Sequence, residues 1–98
     1  MRLNQKLTPL LSGRILQAVT QDEQTGKVTF RDGSGMTIKL GGPIPADFNR
    51  TTQIKLVRQG GTQMIWEFVD GTSLTIPLAE ATSSVLLRDA AGHLEYAD

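Results

Sequence analysis

The sequence predicts an all-β fold, mainly antiparallel, with one short N-terminal helix, closed as a small barrel or stacked as a two-layer sandwich. Apolar and polar residues alternate with period two through most of the chain, as half-buried strands require. Asp-Gly dipeptides at Asp32-Gly33 and Asp70-Gly71 punctuate that alternation where hairpins would turn. A shift of 38 residues lays the segment from Val28 to Leu40 on that from Trp66 to Leu78 with no gap and six identities in thirteen positions. The identities are Phe30/Phe68, Asp32/Asp70, Gly33/Gly71, Thr37/Thr75, Ile38/Ile76 and Leu40/Leu78. The same shift aligns Leu16 with Ile54, Ala18 with Leu56 and Val19 with Val57, so a tandem unit runs from about 14 to 40 and again from about 52 to 78.

In chain order, Asn4 is placed to cap a short amphipathic helix carrying Leu7, Leu10 and Leu11, with Gly13 to end it and Pro9 to keep it short. The first unit reads as three strands whose inward residues are Leu16 and Ala18, then Val28 and Phe30, then Met36, Ile38 and Leu40. The second repeats them with Ile54 and Leu56, then Met64, Trp66 and Phe68, then Leu74, Ile76 and Leu78. A two-residue Asp32-Gly33 loop would send Val28 and Phe30 to the face opposite Met36 and Ile38. A three-residue loop, Arg31-Asp32-Gly33, pairs Phe30 with Ser34 and Val28 with Met36 and unites the apolar set, with glycine in the left-handed position. Asp32 and Asp70 are then turn residues bonded to their own backbone, not acids of an active site. Gly41-Gly42-Pro43-Ile44-Pro45 breaks the chain between units but is too short and apolar for a flexible linker, so one domain spanning 1–98 is expected. Pro77 stands where the first unit has Lys39 and, lacking a donor, belongs on a sheet edge. A C-terminal hairpin over 84–97 would turn on a four-residue loop Asp89-Ala90-Ala91-Gly92, pairing Leu87 with Leu94 and Val85 with Tyr96 on one face.

The inventory of reactive groups is thin. There is no cysteine and one histidine, His93, which reads as an exposed neighbour of the last turn. Neither a metal ion nor any other cofactor is expected. Gly33-Ser34-Gly35 precedes a strand, whereas phosphate-cradling loops precede a helix. Asn49-Arg50-Thr51 matches a glycosylation triplet, but no secretion signal or membrane span is read from the sequence, so a soluble cytoplasmic protein is expected.

Charge is balanced at ten basic and ten acidic residues, yet residues 1–58 hold nine of the basic and four of the acidic ones. Three functional readings follow. The leading one, from the thin reactive inventory and the polarised charge, is a non-catalytic interaction domain that forms a homodimer and binds a protein partner; Val57 and Ile65, at outward positions that need cover, mark its interface. The helix residues Leu7, Leu10 and Leu11, or a second subunit, would supply it. A second is a small-molecule or lipid carrier whose cavity is lined by Phe30, Met36, Met64, Trp66 and Phe68. A third is nucleic-acid binding by a basic face of Arg14, Lys27, Arg31, Lys39 and Lys55, disfavoured because the aromatic residues fall on the inward pattern.

Overall fold

The computed structural model describes residues 1–44 and 51–98, so Pro45 and two members of the Asn49-Arg50-Thr51 triplet lie outside the described residues. In chain order the elements are β1 (Arg2–Leu3), α1 (Leu7–Leu11), β2 (Leu16–Asp22), β3 (Thr25–Phe30), β4 (Gly35–Lys39), β5 (Ile54–Gly60), β6 (Gln63–Phe68), β7 (Ser73–Pro77), β8 (Val85–Arg88) and β9 (Leu94–Ala97). They form two antiparallel sheets, ordered β1-β5-β6-β7 and β2-β3-β4-β8-β9. The arrangement is a sandwich and not a closed barrel. Each unit supplies three strands to its own sheet. β1 extends the second unit's sheet and the C-terminal hairpin extends the first's.

The hairpin turns of the two units repeat one another's hydrogen bonds at the shift of 38. The Phe30 N–H donates to Ser34 O and the Phe68 N–H to Thr72 O, both at 2.9 Å. Val28 pairs with Met36 and Trp66 with Leu74, as the three-residue loop requires. Gly33 and Gly71 both sit at φ +90°, where a Cβ would be strained. The sheets meet at two isolated bridges, Ile15 with Gln53 and Leu40 with Leu78. Each joins a residue to its own equivalent, as a local twofold axis demands.

Where each unit leaves that junction, its first strand carries a bulge, between Leu16 and Ala18 in β2 and between Ile54 and Leu56 in β5. The extra residue, Gln17 or Lys55, is exposed. A bulge bends and twists a strand at such a corner, and it also reverses the faces beyond it. Ala18 is therefore exposed and Leu56 half-buried on the outer side, against the inward places the alternation predicts. Val19 and Val57 turn inward instead, opposite Val28 and Trp66, and Val57 is fully buried.

The core between the sheets holds Trp66, Phe30, Phe68, Met64 and Ile54 together with Leu7 and Leu11 of the helix. Asn4 Oδ1 accepts from the Leu7 N–H at 2.9 Å and so caps that helical turn, as expected. The helix does not lie over an outer face. It docks on the edge of β5, where Thr8 Oγ1 accepts from the Val57 N–H at 3.0 Å and donates to its carbonyl at 3.2 Å.

The last hairpin departs from the expected register. Its loop is Ala90-Ala91-Gly92: the Asp89 N–H donates to His93 O and the Gly92 N–H to Asp89 O, both at 2.9 Å. Arg88 then pairs with Leu94, and a bulge brings Leu87 opposite Tyr96. Val85 and Leu87 face the core, while Leu94 is 52% exposed. The loops ending in Gly33, Gly71 and Gly92 thus use one geometry.

Candidate functional site

The bulges decide which side chains the molecule presents. On the outer face of the four-stranded sheet, Ile65 of β6 lies between Arg58 of β5 and Thr75 of β7, with Leu56 opposite Glu67 and Leu3 opposite Arg58. Ile65 and Leu56 are half-buried, and Leu3 is 42% exposed. The Arg58 Nε donates to Glu67 Oε2 at 2.6 Å across this face. Of the five residues expected at an interface, only Ile65 is here. Val57, Leu7 and Leu11 are fully buried in the core, and Leu10 packs partly buried against it.

The outer face of the five-stranded sheet has a different chemistry. Lys27 stands opposite Thr37, which stands opposite Leu86; Lys39 follows on the same strand, and Arg88 lies opposite Gly35. Two shallow depressions share Thr37 and Leu86: one of about 430 Å³ reaching Lys39 and Asp98, another of about 230 Å³ reaching Lys27 and Arg88. Arg88 belongs to neither unit, so the charge pattern of the repeat does not single it out.

The expected basic face is only partly assembled. Lys27 and Lys39 share the surface just described, while Arg31 is exposed in a turn and Lys55 projects from the bulge of the other sheet. Arg14 is a structural tie: its Nη2 donates to Glu95 Oε1 and Oε2 at 2.9 and 2.8 Å, and its guanidinium lies 5.8 Å from the Phe30 ring centroid. Its Nε is 3.6 Å from Asp32 Oδ2. Asp32 in turn accepts from the Ser34 N–H at 2.8 Å and from the Ser34 hydroxyl, and these bonds, with Arg14 beside them, hold its carboxyl below the usual range. Asp70 accepts from the Thr72 N–H at 2.9 Å in the same way. Both aspartates are turn residues in the structure.

The five residues considered for a cavity wall, Phe30, Met36, Met64, Trp66 and Phe68, occupy the interior, where the rings of Phe30 and Trp66 are 6.1 Å apart. Of these, Met36 alone borders either outer depression. His93 is 82% exposed, with Nδ1 3.4 Å from Asp89 Oδ2. Among the described residues no cluster of three or more His, Cys, Asp or Glu is placed to hold a metal ion, and no helix is long and apolar enough to cross a membrane. No protein-family model, curated protein or solved structure matches the chain.

The bulge left one signal in the sequence. The internal repeat acts as a two-member comparison: Val19/Val57 is identical, as are the buried pairs Ile38/Ile76 and Leu40/Leu78, whereas Ala18/Leu56 is not. At these two positions identity picks out the inward residue, although the exposed pair Thr37/Thr75 is identical as well.

Proposed function

We propose that this chain is a non-catalytic interaction domain that self-associates and binds a protein partner, the partner seated on the outer face of the four-stranded sheet. One observation carries the reading: on two equivalent scaffolds, three outer positions change from small or basic in the first unit to apolar in the second. Ala18, Lys27 and Lys39 on the first outer face become Leu56, Ile65 and Pro77 on the second. An apolar outer surface, half-screened by an Arg58–Glu67 pair and rimmed by exposed Leu3, has the composition of a protein-binding patch. A cytoplasmic setting belongs to the proposal and draws on the absence of cysteine from the sequence.

Sedimentation over a concentration series tests self-association. A paired capture experiment with wild type and Ile65→Glu tests the face. The substituted position is on the surface, so circular dichroism should be unchanged while the captured protein is lost. A chain that stays monomeric throughout, with identical capture by both forms, overturns the reading.

A second reading rests on Lys27, Lys39 and Arg88 sharing one outer face, with neither lysine in an ion pair among the described residues. A nucleic-acid backbone could lie there. A mobility shift whose salt dependence shrinks in Lys27→Ala is its signature, and absence of any shift removes it.

A further inference from the structure

We infer that self-association, which this inference takes from the reading above, runs through β2: two copies pair antiparallel along their β2 edges, Val19 opposite Val19 of the second copy. The two five-stranded sheets would then form one continuous sheet of ten strands.

Among the described residues, the twofold relation between the units exposes an asymmetry that points to this edge. In β5, Val57 turns its N–H and C=O away from β6, and both are taken up: the N–H by Thr8 Oγ1, the C=O by Thr8 Oγ1 and by the Asn4 N–H at 2.8 Å. Beyond it, Gln59 is paired with Arg2 of β1. Val19 and Gln21 are the β2 equivalents of Val57 and Gln59, and their backbone groups point the same way, off the sheet. Among the described residues neither makes a backbone hydrogen bond on that side. Gln17, Ala18 and Thr20 are exposed along this edge, and Gln21 at its end, also exposed, accepts from the Ile44 N–H through Oε1 at 3.0 Å.

Among the described residues, the bulge between Leu16 and Ala18 is the one guard on this strand. Natural edges are blunted by lysine, proline, a bulge or brevity. β7 carries Pro77 at the place where the Lys39 N–H of β4 donates to Ser84 O, β1 has two residues and β9 four. β2 has seven, with no lysine, arginine or proline. Its order Gln17-Ala18-Val19-Thr20-Gln21 reads nearly the same in both directions, so a twofold through Val19 sets Gln17 against Gln21 and Ala18 against Thr20 with no like charges facing. Self-complementarity of that kind is what an isologous contact needs.

Sedimentation velocity on the full chain tests the pairing with two variants at exposed positions. Ala18→Glu/Thr20→Glu sets glutamate against glutamate twice across the axis and should weaken the dimer about tenfold. Ala18→Lys/Thr20→Glu sets lysine against glutamate and should keep it, with circular dichroism matching wild type in both. If wild type dimerises and both variants dimerise equally, or both fail to, this pairing is wrong and self-association stands. A wild type that stays monomeric overturns the reading beneath it as well.

Discussion

Glu23 occupies the first position of the β2–β3 turn with φ +55°, and its equivalent in the second unit is Gly61 at +56°. An L-residue there carries ~1–2 kcal/mol of strain, part of which glycine gives back through its freer unfolded chain. Glu23→Gly should therefore stabilise the protein by ~0.5–1 kcal/mol, read as a raised denaturation midpoint. An unchanged or lowered midpoint would count against the turn geometry. Asp32 supplies a pH test. Its carboxyl is depressed chiefly by the Ser34 hydroxyl, so its contribution is present above the unfolded value of ~3.9 and is lost as pH falls through the lower folded value. The side chain is 54% exposed, so solvent screens the effect and keeps it modest. Asp32→Asn should lower stability at neutral pH, and its deficit should narrow below pH ~4. Chemical denaturation at several pH values measures this, and an equal deficit at every pH contradicts it.

At the level of elements, the hairpins were legible because each Asp-Gly loop allows only one length that keeps Val28 with Met36 and Trp66 with Leu74 on the same side. The bulges were not, since alternation alone reads Leu16-Gln17-Ala18 and Ile54-Lys55-Leu56 as regular strand. They arise from a long-range demand, the corner at the Ile15–Gln53 bridge. β1 was unreadable for a similar reason, its two residues being ordered by pairing with Gln59 and Arg58. The candidate surface inherits the same gap: alternation puts Ile65 on its proper side but Val57 outside and Leu56 in the core. Paired lysine substitutions separate these positions. Val57→Lys buries a charge with no partner and should unfold the domain, whereas Ile65→Lys should leave the far-ultraviolet spectrum intact. Similar tolerance of both would place the bulge elsewhere.

Across the whole molecule, the surplus of basic residues in the first half and of acidic ones in the second becomes a fastening. Arg14, just ahead of β2, reaches Glu95 of β9 at the far edge of the same sheet, with only 15% and 19% of the two side chains exposed. Removing the arginine strands a largely desolvated carboxylate. Arg14→Ala should cost ~1–3 kcal/mol and speed amide exchange in β8 and β9 ahead of β3 and β6. Uniform acceleration would show that the hairpin is held by packing alone.

The bridges Ile15–Gln53 and Leu40–Leu78 have a consequence for how the chain can be divided. At the second, the Gly41 N–H donates to Pro77 O and the Ala79 N–H to Lys39 O, each half giving the bond it receives. A seam of that kind is indifferent to whether its two sides are covalently linked. Severed between the repeats, the pieces would retain matching docking rims and could be recovered by mixing, so the polypeptide behaves at its centre like a pair of subunits that happen to share one backbone.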